Sequence, residues 1–399
     1  MIVTEYRAQE GLRRVGVIAL VGALIGLALL TLGSVVVDPE QFWRSYYIAW
    51  LYWTGICLGS LGLLMIQHVS GGIWGATLRR MLESAALTLP WMGLFFIPIA
   101  LFGMFHVFEW SHEGFMVGDV LEQKANYLNV PFFLGRMAAY FIIWTALVLV
   151  LTRWSRRLDS TGDMRFRGKM LGLSAPGLLI YAVTMTLATV DMVLSLDAEF
   201  YSTIWGALVT FSFILAAFSL MIVVLSLLTD SGPLRQVMST EHFLDLGTLM
   251  LAFTILWTYF SFSQFIIIWS GNLPQEAVWY TVRLESGWGW IGLALLLFAF
   301  SLPFLLLLSR PLKESYRSLV VVAAIVAFMQ YVNLYYLSVP SWHRDGLHIS
   351  WMDFAAPIGF GGVWLLIFSA LLRGRPLLPL YVLPERHPRD HRELNHGGH

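Results

Sequence analysis

The sequence predicts an all-α membrane protein with ten transmembrane helices, and three observations carry this prediction. Hydrophobic residues make up 58% of the 399 positions and charged residues only 13%, whereas soluble domains carry about 25% charged residues. Apolar stretches of about twenty residues, enough to cross about 30 Å of hydrocarbon as a helix, recur along the whole chain. The strict alternation of membrane strands is absent, and lipid leaves no backbone group unpaired, so the spans should be helices.

The ten spans follow one another with short polar connections. Residues 1–14 are polar and longer than the first part of a typical signal peptide, and no small-residue cleavage pattern follows, so the first apolar stretch is interpreted as a retained span. We expect the spans at residues 15–37, 47–68, 84–107, 131–151, 172–195, 203–228, 243–269, 289–309, 317–338 and 350–372.

The basic residues indicate the orientation. With ten spans, twenty of the 25 lysines and arginines fall on the side of the N-terminus and five on the other side. Cytoplasmic loops carry the excess of positive charge in membrane proteins. We therefore expect a multi-pass protein with both termini in the cytoplasm.

A weak internal repeat indicates two up-down four-helix bundles with one peripheral helix at each end. His68 and Glu83 are fifteen residues apart, as are Asp230 and Asp245, and the second pair lies 162 residues after the first. A shift of four spans preserves topology, as in parallel repeats. The predicted divisions are 1–46 (N-terminus and first helix), 47–195 (first bundle), 196–338 (second bundle), 339–372 (tenth helix) and 373–399 (cytoplasmic tail).

Three connections have distinctive compositions. Residues 108–130 are rich in acidic and aromatic residues and predict an external loop with a short surface helix, and residues 152–171 predict a basic inner loop. The glycines at 71, 72 and 75 predict a turn between two spans. The tail after Arg373 contains four prolines and predicts an extended arm.

Ionisable residues within membrane spans are costly and are therefore functional candidates. Asp191 lies about three-quarters of the way along its span. It could relay protons or accept a proton from a quinol, or it could pair with Arg136 or Arg283 in a structural role. Arg136 itself is also a candidate for the proton path.

Four residues near the cytoplasmic ends of spans are further candidates for a proton path. They are Glu83, Asp245, His68 and His242. A carboxylate in the first turn of a helix is also favoured by the helix dipole alone, and His68 could simply be a hydrogen-bonded interfacial histidine. Both interpretations stay open for these residues.

At the outer face, His106 and Asp191 are the candidates for binding a quinone. His106 could equally face water, and Asp353 is expected to serve the start of the last helix. No residue is assigned a catalytic role. No metal site is expected, because His68 and His106 lie at opposite faces and the single Cys57 cannot hold an iron–sulfur cluster.

The ten-span pattern and the segment from Gly71 to Glu83 (GGIWGATLRRMLE) resemble the ActF-type subunit of bacterial alternative complex III. That subunit belongs to the NrfD/polysulfide-reductase membrane-subunit superfamily. The resemblance implies a location in the bacterial inner (cytoplasmic) membrane. It also implies a homologous ten-span quinol-binding subunit, an iron–sulfur protein, haem-c subunits and, in some complexes, a terminal oxidase as partners. Lipids are expected to surround the chain, and nucleic acid is not expected to bind.

The function expected from the resemblance is that of a subunit of a respiratory quinol:electron-acceptor oxidoreductase, passing electrons toward cytochrome c or an oxidase. This chain would contribute proton-conducting half-channels and a scaffold, and bind no redox metal of its own. Haem c and iron–sulfur clusters would lie in its partners, with quinone, quinol or lipid as the ligands left open. The alternatives are a quinone-binding subunit of the polysulfide-reductase type and a secondary transporter.

Overall fold

The computed structural model describes residues 9–229 and 240–373, and every regular element in these ranges is a helix. Ten helical segments within the described residues are long and apolar enough to cross a membrane, which agrees with the predicted number. The helices are α1 (Gln9–Val36), α2 (Pro39–Ser70), α3 (Ile73–Ala86), α4 (Leu89–Pro98), α5 (Met104–Val107), α6 (Asp119–Lys124), α7 (Val130–Thr161), α8 (Arg165–Met192), α9 (Trp205–Thr229), α10 (Thr240–Gly271), α11 (Pro274–Glu285), α12 (Gly289–Ala294), α13 (Leu302–Leu308), α14 (Arg310–Glu314), α15 (Tyr316–Ser338) and α16 (Met352–Leu372).

The third span runs through α3, α4 and α5, and the eighth through α12 and α13. Each contains a short π-helical stretch, Ile99–Gly103 and Leu295–Ser301. A proline adjoins both stretches, because Pro98 precedes the first and Pro303 follows the second. Proline lacks the N–H that continues an α-helical ladder, so a change of helical register beside it is expected.

Local capping explains where the long helices begin and end. At the start of α2, Asp38 accepts a hydrogen bond from the backbone N–H of Glu40. At the start of α7, the Asn129 side chain accepts from the backbone N–H of Phe132, and Gly162 ends that helix in the left-handed conformation. Polar caps and a C-terminal glycine are the usual signals for these boundaries.

The helices extend beyond the apolar stretches, and two sequence expectations are therefore wrong. The predicted inner loop at 152–171 is almost entirely helical, with only a tight turn at 162–164 between α7 and α8. Helix α3 begins at Ile73, so Gly75 lies inside a helix and only Gly71 and Gly72 form the turn. Ser155 and Asp159 on α7 bind Glu83 and Arg80 on α3, so contacts between the helices continue beyond the apolar stretches. In the outer loop, the predicted short helix is α6.

Helices α2 and α9 are the most buried spans and pack against each other at the centre. Helix α2 also contacts α3, α4 and α8, and α7 packs on α8. Helix α9 contacts α10 and α15, and α15 packs on the eighth span. We name the membrane face at which α1 begins the N-terminal face and the other the opposite face.

Helices α1 and α16 pack side by side along their lengths through glycine. A Cβ built on Gly26 would lie 1.9 Å from the Cα of Gly359, and one on Gly362 would lie 2.1 Å from the backbone nitrogen of Ala23. Small residues allow membrane helices to approach closely, so that dispersion contacts hold them together. The predicted tail beyond Arg373, together with Asp230, lies outside the described residues.

Candidate functional site

Two buried ionic clusters lie near the two membrane faces of the helix group formed by α2, the third span, α7 and α8. The N-terminal-face cluster comprises Arg79, Arg80, Glu83, Ser155 and Asp159. The opposite-face cluster comprises Arg136, Tyr140 and Asp191. Both contain charges that are almost completely withdrawn from solvent.

Glu83 is the centre of the N-terminal-face cluster and has no exposed surface. Arg79 donates to it from Nε at 3.0 Å, and Arg80 donates from Nη1 at 2.9 Å. The Ser155 hydroxyl on α7 donates to Glu83 Oε1 at 2.5 Å. Spacings of three and four residues place both arginines on the same helical side as the carboxylate, and the serine joins this helix to α7.

Asp159 extends the cluster toward the N-terminal face by an ion pair with Arg80. Arg79 Nη2 donates to Ser155 Oγ at 2.9 Å and contacts the sulfur of Met170 on α8. The cluster therefore joins α3, α7 and α8, and its two cations and two anions balance. Balance matters because an uncompensated charge in this environment costs several kcal/mol, roughly 3–5 when one partner is removed.

His68 adjoins this cluster from the end of α2. Its Nδ1 lies 2.9 Å from the Ser174 hydroxyl on α8, and its ring is in electrostatic range of Arg79 and Glu83. Its Nε2 is buried and has no hydrogen-bond partner among the described residues, and the same is true of Ser84 Oγ. Buried polar atoms of this kind commonly bind internal water, so His68 Nε2 and Ser84 Oγ are candidate positions for internal water molecules.

The opposite-face cluster is a bidentate ion pair with one additional hydroxyl donor. Arg136 on α7 donates to Asp191 on α8 through Nε at 2.9 Å and Nη2 at 2.7 Å, and the Tyr140 hydroxyl donates at 2.9 Å. Asp191 is completely buried, while Arg136 retains 10% exposure. Two parallel hydrogen bonds are the strongest arrangement of an arginine and a carboxylate.

Two aromatic rings, Tyr127 from the outer loop and Phe132 from the first turn of α7, enclose the guanidinium of Arg136. The Tyr127 ring centroid lies 3.7 Å from it, and the Phe132 ring centroid lies 4.4 Å away. Burial raises the pKa of Tyr127 to about 12, with the negative charge of Asp191 adding to the effect. Of the two sequence interpretations for Asp191, the pairing with Arg136 is therefore present in the structure, and the proton role stays a prediction.

Arg283, the other partner considered for Asp191, is engaged elsewhere. It is buried at the opposite face and donates to the backbone carbonyls of Tyr336 and Leu337, at 3.2 and 3.0 Å. Its guanidinium stacks 3.4 Å from the ring of Trp279. Burial lowers its pKa to about 9, and at neutral pH it stays charged. Arg283 thus ties α11 to the end of α15.

The remaining sequence candidates do not join these clusters. Asp245 is exposed in the first turns of α10, and His242 nearby is partly exposed. The described part of residues 196–338, the predicted second bundle, therefore has no buried carboxylate equivalent to Glu83. No hydrogen bond connects His106 to Asp191 among the described residues, and the His106 carbonyl instead accepts from Arg44 Nε at 3.2 Å.

Sequence reasoning missed a third buried network at the opposite face, around Asp353. Three side chains donate hydrogen bonds to this carboxylate: the Ser45 hydroxyl at 2.6 Å, the Tyr335 hydroxyl at 2.8 Å and the Gln41 amide at 3.2 Å. The backbone N–H of Ser350 is a fourth donor. The Gln41 carbonyl oxygen lies 2.8 Å from Nε2 of His348.

The ring of His348 stacks on that of His343 with 4.0 Å between centroids. Two histidines five residues apart, just before a span that begins with an aspartate, were the available signal. This signal is weak in the sequence, because the histidines lie in a loop and not in an apolar span.

The histidine pair should make stability depend on pH. Burial, His348 and Arg44 together lower the pKa of His343 to about 4, although Asp353 and Glu40 act in the other direction. Between about 6.5 and 4 the unfolded chain then binds more protons, so stability is complete above this window and falls as the pH falls through it. Screening at this half-buried ring limits the effect to about 1 kcal/mol. We expect His343→Gln to flatten the pH dependence of thermal unfolding in this window.

The matched control for this prediction is His112→Gln, which removes an exposed histidine at the same face. The His112 variant should show the same pH dependence of thermal unfolding as the wild-type chain. An equal slope in the His343 variant and the wild type would contradict the assignment.

Two comparisons with known proteins leave the family open. No protein-family model matches the chain, and no curated protein matches it. In the described ranges, no group of three or more histidine, cysteine, aspartate or glutamate side chains could hold a metal ion. The family resemblance of the Gly71–Glu83 segment therefore stays a prediction.

Proposed function

We propose that this chain is an integral membrane subunit of a respiratory quinol:electron-acceptor oxidoreductase of the alternative complex III type, in the bacterial inner membrane with both termini cytoplasmic. It contributes proton half-channels and a scaffold. The redox groups, haem c and iron–sulfur clusters, belong to partner subunits, and the homologous ten-span subunit binds quinol.

The observation that carries this proposal is the pair of buried ionic clusters in one helix group, one near each membrane face. Glu83 and Asp191 are both completely buried and both bind arginine. A purely structural subunit would not need these buried ion pairs, since apolar side chains of the same volume commonly make a fold equally stable or more stable. Charges kept at this cost within membrane spans usually mark pathways for ions or protons.

Each cluster has the chemistry of a proton-loading site. A carboxylate that accepts hydrogen bonds from an arginine and a hydroxyl takes up a proton when the ion pair loosens and releases it when the pair forms again, because the neighbouring positive charge favours the ionised form. A redox change in an adjoining subunit would supply that change in charge. On the side of Glu83, the buried atoms His68 Nε2 and Ser84 Oγ offer hydrogen-bonding positions for internal water.

The test measures protons moved per electron in the intact complex. The native complex, with Glu83→Gln or Asp191→Asn in this subunit, is reconstituted into vesicles and driven by quinol and an electron acceptor. We expect the proton-to-electron ratio to fall toward the value of quinol chemistry alone, while haem c content is retained. Because the ratio is taken per electron, partial loss of folded complex lowers the rate but leaves the ratio intact.

Glu314→Gln is the control, since Glu314 is a partly exposed carboxylate paired with Arg310. It should leave the ratio unchanged. An unchanged ratio in both test variants would remove the proton role. Purification of the native chain without haem-c and iron–sulfur partners would remove the assignment to such a complex.

A quinone-binding role in this chain is the second candidate, and the network around Asp353 favours it. A buried carboxylate with neutral donors and two nearby imidazoles can exchange protons with a quinol head group. A photoreactive quinone analogue would then label residues 341–353, whereas labelling of the partner subunit alone would argue for the first candidate.

A further inference from the structure

A basic groove of about 640 Å³ opens on the surface of α7 near the N-terminal face. None of the residues that line it is a member of either buried cluster. Its lining combines aliphatic side chains at one end with arginines at the other, and includes Leu87, Leu149, Thr152, Arg153, Arg156 and Arg157.

The three arginines form a single charged surface that the described protein does not neutralise. Spacings of three and four residues place Arg153, Arg156 and Arg157 on neighbouring positions of one helical side. All three are exposed, and no carboxylate in residues 9–229 and 240–373 lies within ion-pair distance of them. Asp159, the acid nearest along the helix, binds Arg80 in the interior. Three cations this close repel one another, so an anion placed between them is stabilised.

The depth of the groove matches the boundary between hydrocarbon and head groups. Arg153 lies 23 residues into α7, about 35 Å from Val130 along the helix axis, and the hydrocarbon layer is about 30 Å thick. Leu149, one turn closer to the membrane centre, is 51% exposed. The aliphatic end of the groove therefore faces acyl chains and the arginine end faces phosphate groups.

We infer that this groove binds an anionic glycerophospholipid of the leaflet at the N-terminal face. Its phosphate lies among Arg153, Arg156 and Arg157, and one acyl chain runs over Leu149 and Leu87. Charge complementarity and the change from apolar to basic lining along a single groove support this ligand. Basic pockets beside membrane helices are a known form of anionic-lipid recognition. The inference does not depend on the proposed function.

The experiment compares lipid retention in the full-length chain. Detergent-purified protein is incubated with equal amounts of phosphatidylglycerol and phosphatidylcholine, and the bound lipids are counted by native mass spectrometry. We expect a preference for phosphatidylglycerol that falls about fivefold for each arginine removed and is abolished in the triple variant R153Q/R156Q/R157Q. A photoreactive phosphatidylglycerol should label residues 149–160 of the wild-type chain, a readout that needs no variant.

The matched control is R165Q/R167Q/K169Q, which removes the same charge from exposed positions at the same face but outside the groove. It should keep the preference. An equal loss in both triple variants would show diffuse attraction and overturn the site, as would equal retention of the two lipids by the wild type. Displacement of the labelled lipid by millimolar inorganic phosphate would identify a free-anion site instead and overturn the lipid assignment.

Discussion

Replacing Glu83 by alanine is expected to lower the stability of the folded chain by about 3–5 kcal/mol. Glu83 has no exposed surface, and both Arg79 and Arg80 bind its carboxylate. Without it, two guanidinium groups with 1% exposure lose their shared acceptor in a region that water reaches poorly. The change should appear as a large drop in the apparent melting temperature of the detergent-solubilised chain.

The chain contains a closely matched control for this effect. Arg310 and Glu314 form an ion pair with the same four-residue spacing and a similar distance, 2.8 Å against 3.0 Å. Their side chains are 75% and 34% exposed, so Glu314→Ala should cost only about 0–1 kcal/mol. If the two substitutions had equal effects, burial would not be what makes the Glu83 cluster important.

The second large effect is expected at the contact between α1 and α16. Gly26→Ala places a Cβ 1.9 Å from the Cα of Gly359, a separation at which one backbone has to move. Since the two helices meet along their lengths, we expect α1 to separate from α16 and become accessible to protease. The apparent melting temperature should fall as well.

Gly172→Ala is the control, because Gly172 is also helical and a Cβ built on it meets nothing within 4 Å. Alanine is favoured over glycine inside a helix by about 0.5–1 kcal/mol. That variant should be neutral or slightly more stable. Destabilisation of both variants to the same extent would show that the α1–α16 contact is not the cause.

The candidate clusters could be predicted from sequence only in part. Asp191, Arg136, Glu83 and His68 were recognisable, because ionisable residues inside apolar stretches stand out by their cost. The difference between Glu83 and Asp245 was not, since their similar positions near a helix start conceal the fact that the Glu83 side chain is buried and the Asp245 side chain is exposed. Ser155 and Asp159 fall in a segment that the sequence predicts as a loop, because it is basic and polar. Only the structure shows that Ser155 binds Glu83 and that Asp159 binds Arg80.

Length and hydropathy alone predict ten membrane-spanning helices, because each crossing needs about twenty apolar residues whatever their neighbours are. The described residues contain ten helices that are long and apolar enough to do so. Those quantities do not specify which carboxylate meets which arginine. Helix packing decides that Asp191 binds Arg136 and that Glu83 binds Arg79 and Arg80, because these contacts depend on the rotation and depth of helices distant in sequence. The same packing brings His343 and His348 from a loop next to Asp353 on α16. Because this contact depends on how the loop folds against the helix, only the tertiary structure shows the network.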